Sequence, residues 1–272
     1  MYPEICHVGP LSIRSYGLML IISVFAGIYY VYRQARNDRH DFGRLFILAY
    51  IMVFGGVLGA RLFYVLFHLG EFTGNWLDVI NPFHEDRIGI SGLNLYGGVI
   101  VAVAGSLLYI RLKNMPVLAT FDLFAPTLGL GLFFTRIGCF LNGCCFGTPT
   151  DLPWGLSFPI GSIPAAVFGL APLHPAQLYS SLYGLILFVF LHYRLKRKLF
   201  DGQVIGLLFM VEAIFRYAIE YVRYYEKAMH ISILGMHPTY NHLISIALFG
   251  LGLAIYLRGY KLIRARRGEA RT

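Results

Sequence analysis

The sequence predicts an all-α, polytopic integral membrane protein with seven transmembrane helices, and three observations carry that expectation. Only 14% of the 272 residues are Asp, Glu, Lys or Arg, while 57% are apolar, against about 25% and about 45–50% in a soluble domain. So little polar surface cannot wrap this much apolar material in water, which excludes a soluble domain, a disordered chain and a disulfide-stapled secreted scaffold. Seven stretches are apolar enough to cross a bilayer, a crossing taking about 20 residues. Basic residues, finally, gather on alternate sides of those stretches.

The spans are 15–33, 45–69, 93–110, 117–140, 175–193, 203–222 and 240–257, the third short by count, with Gly89 to Leu95 able to add a partly buried approach. One side takes sixteen basic residues: Arg33, Arg36, Arg39 and Arg44; Arg111 and Lys113; Arg194, Lys196, Arg197 and Lys198; and six in the tail from Arg258 to Arg271. The other side takes four, Arg14, Arg87, Arg223 and Lys227. By the positive-inside rule the N-terminus lies outside and the C-terminus in the cytoplasm, as an odd number of crossings requires. The first apolar stretch follows Ser12-Ile13-Arg14 and meets no A-x-A-like cleavage site, so that span is expected to stay attached. Residues 1–272 then form a single transmembrane domain with extended outer loops at about 70–92 and 141–174. Loops of that length usually line a site, so chemistry is expected near the outer leaflet. The net charge of +9 belongs mostly to the cytoplasmic side and tail, where it anchors topology at an anionic leaflet. No nucleic-acid surface is expected, since basic and aromatic residues do not interleave.

Polar groups inside the spans are costly and so informative. Arg61, Arg136 and Arg216 each cost at least about 2.5 kcal/mol in hydrocarbon, and the acids available within spans are Asp122, Glu212 and Glu220. Arg216 stands four residues from both Glu212 and Glu220, on one helical face with them. Two readings stay open for these arginines: internal ion pairs with snorkelling, or guanidinium forks that grip an anionic lipid headgroup. Residues 136–147 read Arg-Ile-Gly-Cys-Phe-Leu-Asn-Gly-Cys-Cys-Phe-Gly. Such a glycine-rich turn can cradle a phosphate through backbone N–H groups, with Asn142 as an added donor.

Cys6, Cys139, Cys144 and Cys145 all fall at or beyond the outer end, where disulfides are permitted. A disulfide, a cluster of unpaired thiols, a metal site and a nucleophile are all open for them. No close Cys-x-x-Cys pair supports a metal, and no metal, nucleotide or other cofactor is expected. Tyr16 and Tyr96 lie beside glycine at the outer ends of their spans, as interface anchors or site residues. His174 and Gln177 open the fifth span, where either can cap the helix and hold the site loop. His237 and His242 are expected to be solvated or interfacial, and most glycines, Gly97 and Gly98 among them, to permit close helix packing or a bare backbone around a ligand.

Taken in order, Arg14-Ser15-Tyr16-Gly17, Gly59-Ala60-Arg61, Tyr96-Gly97-Gly98, Phe121-Asp122-Leu123-Phe124-Ala125-Pro126, the Arg136–Gly147 block, His174-Pro175-x-Gln177-Leu178-Tyr179 and Phe215-Arg216-x-x-x-Glu220-x-x-Arg223 span nearly the whole chain. In these pieces it resembles the bacterial prolipoprotein diacylglyceryl transferases, integral seven-span enzymes. The resemblance implies transfer of a diacylglyceryl group from phosphatidylglycerol to the lipobox cysteine thiol of a signal-peptide-bearing prolipoprotein, releasing glycerol phosphate. It further implies a multi-pass protein of the bacterial cytoplasmic (inner) membrane, with membrane lipids around it and its active site near the outer leaflet. The family's headgroup-binding arginines look like Arg136 and Arg216, its tyrosine near the amino end like Tyr16, its carboxylate like Glu220 and its closing block glycine like Gly147. With Arg61, Asn142, Gly97, Gly98, His174 and Gln177 these make the expected substrate-binding set, and Tyr96, Arg136 and Arg216 the catalytic one.

Two positions depart from the family pattern. Tyr96 stands where the family commonly has the histidine assigned as base, and Cys139, Cys144 and Cys145 stand where Asn and Glu-containing variants are usual. A tyrosine of pKa near 10 acts as base only if a neighbouring cation lowers it. A different donor or acceptor on the same fold, or a lipid-binding or transport protein without a covalent step, are the competing expectations; the spans carry no convincing internal repeat.

Overall fold

The computed structural model describes residues 2–8, 11–37, 41–72, 83–84, 87–88, 94–225 and 239–269. Most of the loop expected at 70–92, together with His237, lies outside the described residues. Two short antiparallel hairpins, β1 (Glu4–Val8) with β2 (Leu11–Arg14) and β3 (Phe83–His84) with β4 (Arg87–Ile88), accompany a helical chain. The helices are α1 (Ser15–Asn37), α2 (Phe42–Phe67), α3 (Leu95–Leu112), α4 (Val117–Asn142), α5 (Ile163–Phe168), α6 (Ala176–Lys196), α7 (Gln203–Ile219) and α8 (Tyr240–Glu269). Six described helices are long and apolar enough to cross a membrane: α1, α2, α3, α4, α6 and α8. The remaining predicted span, 203–222, is the 17-residue α7, which reaches about 26 Å against a hydrocarbon core of about 30 Å. It stops early because the chain turns after Ile219, with the Val222 and Arg223 N–H groups both donating to the Ile219 carbonyl.

The chain gathers into two compact units, one of Met1–Pro3, Ser15–Gly27 and Leu118–Thr272, the other of Glu4–Arg14 and Ile28–Val117. In the second unit, α2 and α3 pack backbone to backbone. A Cβ at Gly98 would come within 2.7 Å of the Gly56 carbonyl oxygen, and one at Gly97 would strike the Phe63 side chain. Lipid tails are as apolar as Leu, so helices in hydrocarbon gain little from apolar burial and associate through such small-residue contacts. Asn94 caps α3, its side chain accepting from the Tyr96 and Gly97 N–H groups, while its own N–H donates to the Ala60 carbonyl at 2.9 Å. Polar termini are thus met internally, as a membrane demands.

In the first unit, α4 meets α6 where Gly129 faces Gly184, and α7 meets α8 where Gly206 faces Gly252. Ala125, Leu187, Leu191, Val204, Ile205 and Leu208 fill the space among α4, α6 and α7. The start of α7 has no cap of its own, since its N-cap is Gly202. Asp122 of α4 supplies one. Its carboxylate is fully buried and accepts from the Gly202, Val204 and Ile205 N–H groups at 2.8–2.9 Å and from Lys198 Nζ at 3.3 Å. An acid that the sequence offers as a counter-charge for arginine therefore serves the positive end of a helix instead. Asp122→Ala is expected to lower stability by about 3 kcal/mol, since three N–H groups lose a charged acceptor. Thermal unfolding in detergent measures this, with Asp122→Asn showing the smaller loss.

Candidate functional site

The site begins where α4 ends. Gly143 takes the left-handed conformation, φ +74°, and the Gly143 and Cys144 N–H groups donate back to the Phe140 and Cys139 carbonyls at 3.2 and 3.1 Å. This pair of bonds is the Schellman ending of a helix, and it folds the chain back over its last turn. Cys144 and Cys145 are thereby returned to Cys139, and the three sulfurs lie within 4.8 Å of one another. All four cysteines, Cys6 included, are free thiols. The Asn142 side chain reaches the Cys144 thiol, and Gln177 Nε2, wholly buried on α6, donates to the Cys144 carbonyl at 2.9 Å. Hydrogen bonds from Cys139 and Cys144, with Arg223 and Arg136 nearby, hold the Cys145 thiol below its ordinary pKa.

Beyond the turn, three chain segments cross as paired backbone. The Gly147 N–H donates to the His174 carbonyl at 3.1 Å, Thr148 N–H to Val222, and Tyr224 N–H to Phe146, and Gly147 bridges to Arg223. No side chain fits at position 147, where a Cβ would lie 2.5 Å from the His174 carbonyl oxygen and 2.7 Å from that of Val222. This crossing carries Arg223 from the end of α7 to the Cys turn.

Around Arg216 a buried network forms. Its Nη2 lies 3.4 Å from Glu220 Oε1 and donates to the Tyr225 hydroxyl at 3.2 Å. Glu220 also accepts from the Tyr225 hydroxyl at 2.5 Å, the Thr239 hydroxyl at 2.6 Å and Asn241 Nδ2 at 3.2 Å. Burial pushes the Tyr225 phenol up to about 12, so it stays a neutral donor at any physiological pH. Arg223 lies over the Tyr225 ring at 4.8 Å, with its buried Nε lacking a partner among the described residues. Arg136 and Arg216 both act electrostatically on Glu212, Arg136 and Arg223 both on Cys145, and Arg216 and Arg223 both on Tyr225. Arg216 and Arg223 thus meet at Tyr225, and Arg136 is linked to each through a group on which both act.

Tyr16 lies within electrostatic reach of Arg136 and the three thiols, because α1 crosses α4 at Gly138 with the Tyr16 Cα only 3.1 Å from where a Cβ would stand. His174 and Gln177 do not cap α6, whose N-cap Pro175 makes no side-chain bond. A helix start led by proline offers no side chain for the purpose; His174 instead contacts the Tyr179 hydroxyl at 3.4 Å, and Gln177 serves the Cys turn. Glu220 spends both oxygens within the protein, so it positions Arg216. Arg61, Tyr96, Gly97, Gly98 and Cys6 belong to the other unit. There Arg61 lies over the rings of Tyr64 and Phe72 at 5.7 and 5.2 Å, Gly97 and Gly98 are buried against α2, and the Tyr96 ring and Cys6 are exposed. Arg223, Tyr225, Thr239 and Asn241 are absent from the expected set. Only Arg223 had a sequence signal, two helical turns beyond Arg216. His242, expected to be solvated or interfacial, faces Tyr217 and accepts from or donates to the Thr239 hydroxyl at 3.0 Å.

A family model described as prolipoprotein diacylglyceryl transferase matches residues 3–258. Among curated proteins, the chain is similar to the phosphatidylglycerol–prolipoprotein diacylglyceryl transferase of Idiomarina loihiensis, 31% identical over 95% of this chain and 93% of that one. It is likewise similar to the protein of that name from Nitratidesulfovibrio vulgaris, 33% identical over 94% and 93% of the two chains, and from Clostridium tetani, 31% identical over 82% and 86%.

Gly147→Ala is expected to force apart the backbone crossing at a cost of about 1–3 kcal/mol. The loss should appear as a lowered Tm in detergent, together with faster protease cleavage between residues 143 and 160. An unchanged Tm would mean that the crossing is not what holds Arg223 in place.

Proposed function

Since the chain belongs to the prolipoprotein diacylglyceryl transferase family, we infer that it transfers a diacylglyceryl group from phosphatidylglycerol to a cysteine thiol of a prolipoprotein, releasing glycerol phosphate. The observation that carries this reading is the linkage of Arg136, Arg216 and Arg223 through Glu212, Cys145 and Tyr225. A planar guanidinium matches a phosphate with paired hydrogen bonds, and several of them suit the charge that grows on a departing phosphate. In the transfer, the acceptor sulfur attacks the glycerol carbon next to the phosphate. A sulfur–carbon bond forms while the carbon–oxygen bond breaks, the thiol proton is lost to a base or to water, and glycerol phosphate leaves. Donor stabilisation falls to Arg136, Arg216 and Arg223, with Asn142 and Tyr16 alongside. Glu220 and Tyr225 hold the Arg216 fork in one orientation.

A thiol of pKa about 8.5 is already a few per cent ionised at neutral pH, so an electropositive site suffices to favour the attacking form. Tyr96 occupies the position of the family's usual histidine, and its part is read by substitution. We further propose seven crossings, with α7 as the short one, N-terminus outside and C-terminus in the cytoplasm. The alternation of sixteen basic residues against four supports this topology. It puts the ends of α4 and α7, and hence the site, at the outer leaflet of the bacterial inner membrane, where exported precursors arrive. The acceptor in this reading is a signal-peptide-bearing precursor, and residues 1–272 act as one membrane domain.

The test incubates the purified protein with phosphatidylglycerol and a lipobox peptide and weighs the peptide. A diacylglyceryl adduct on cysteine is expected from the native chain. Arg136→Ala should lose at least about 100-fold in rate with helicity and Tm retained, Arg216→Ala should lose as much while also lowering Tm, since it leaves buried Glu220 without its cation, and Lys at either position should restore little. Tyr96→His should match or exceed the native rate, while a fully active Tyr96→Phe excludes the hydroxyl as base. Binding of phosphatidylglycerol with no adduct would overturn the reading.

A further inference from the structure

The transfer reaction has no use for three thiols, yet the fold brings three together. Cys139 is buried on the last turn of α4, while Cys144 and Cys145 are half-buried and so reachable from outside. Their sulfurs lie within 4.8 Å of one another. Three sulfurs around a tetrahedral zinc, at Zn–S of about 2.3 Å, stand about 3.8 Å apart. The observed grouping is therefore within about 1 Å of a ligating one, and χ1 rotation alone spans that difference.

The backbone around these cysteines is built for that grouping. Cys145 has φ +60°, a left-handed conformation that a residue with a side chain adopts rarely. It is held there from both sides. Gln177 grips the Cys144 carbonyl, and Phe146, packed with Phe158 and Leu173, is tied through its carbonyl to the Tyr224 N–H. Such strain persists only where the surroundings fix it. The local charge also fits. Three thiolates and one divalent cation sum to a single negative charge, and Arg136 and Arg223 both act electrostatically on Cys145.

We propose that Cys139, Cys144 and Cys145 form a binding site for one thiophilic divalent cation, of which zinc is the type. On binding, three thiol protons pass to water and three sulfur–metal bonds form, with no change in oxidation state. Three protein ligands leave the fourth tetrahedral position open to water or to an outside thiol, the pattern of an exchangeable site rather than a closed structural one. The Cys-x-x-Cys signature is absent, but Cys139-x4-Cys144 lies at the long end of the usual spacing of thiolate ligands, and the Schellman turn brings position 139 to 144 and 145. Metal binding stands independently of the transfer reaction.

The test uses the full-length chain without a histidine tag, in detergent, reduced with a phosphine and stripped by a chelator. Zinc is then titrated against a competing chromophoric chelator, and the retained metal is counted by plasma mass spectrometry. About one tightly held zinc per chain is expected. Cys144→Ser and Cys145→Ser should each weaken it at least about 100-fold, and Cys6→Ser should leave it unchanged. Cobalt in place of zinc should give a thiolate-to-metal charge-transfer band that Cys145→Ser diminishes. Circular dichroism of each metal-free variant confirms folding, and the half-buried positions 144 and 145 keep the comparison available even if Cys139→Ser fails to fold. Zinc held no more tightly than by the triple serine variant, or held equally well by Cys144→Ser and Cys145→Ser, overturns the proposal.

Discussion

A carboxylate taken out of water must be repaid by donors, and Glu220 is repaid by four. Arg216, Tyr225, Thr239 and Asn241 surround it, drawn from α7, the turn after it and the start of α8. Leaving such a group unmet in a buried setting costs several kcal/mol, so the end of α7 and the beginning of α8 can adopt few other arrangements. The consequence reaches the site directly. Arg216 is fixed by the same carboxylate, Tyr225 is kept neutral and donating, and the ring of Tyr225 underlies Arg223. Asp122 plays the matching part at the other end of α7, meeting three N–H groups that Gly202 cannot. One helix is thus held at both ends by buried acids, Asp122 of α4 at its start and its own closing residue Glu220 at its end.

A second constraint comes from backbone contact. The Schellman turn after Asn142 relies on Gly143 in the left-handed conformation, and the crossing of segments 147–148, 173–174 and 222–224 on Gly147, where no side chain fits. Together they bring Arg223 to the Cys turn, where Arg136 and Arg223, 87 positions apart in the sequence, both act electrostatically on Cys145. Electrostatics then acts over a region that the backbone has already assembled. Positive charge is concentrated near half-buried thiols and a buried network, where water screens it less than at an open surface.

The sequence was most legible where membrane cost sharpens the signal. Long apolar stretches and the i, i+4 relation of Arg216 to Glu220 depend on composition and helical period, and the helices and the ion pair follow them closely. Features that depend on chain reversal were not legible. Cys139 and Cys144 stand at the long end of the usual thiolate spacing and converge with Cys145 only once Gly143 turns the chain, and Gln177, expected to cap the helix or hold the site loop, does the second by bonding to a carbonyl 33 residues away. Tyr225, Thr239 and Asn241 have the composition of ordinary interface residues and gain meaning only around Glu220. Gly97 and Gly98, expected to permit close helix packing or to bare the backbone around a ligand, do the first against α2. The hairpins and α5 are too short for a periodic signal.

The central claim is that Arg136 and Arg216 hold one phosphate between them. The most direct measurement is a double-mutant cycle in the binding of phosphatidylglycerol, with neutral diacylglycerol as the reference ligand, across the native chain, Arg136→Ala, Arg216→Ala and the pair. If both grip one group, the second substitution costs much less than it does alone, with a coupling of about 1–3 kcal/mol, and diacylglycerol binding hardly changes. Strictly additive losses, or equal losses for the neutral lipid, would contradict a shared phosphate site.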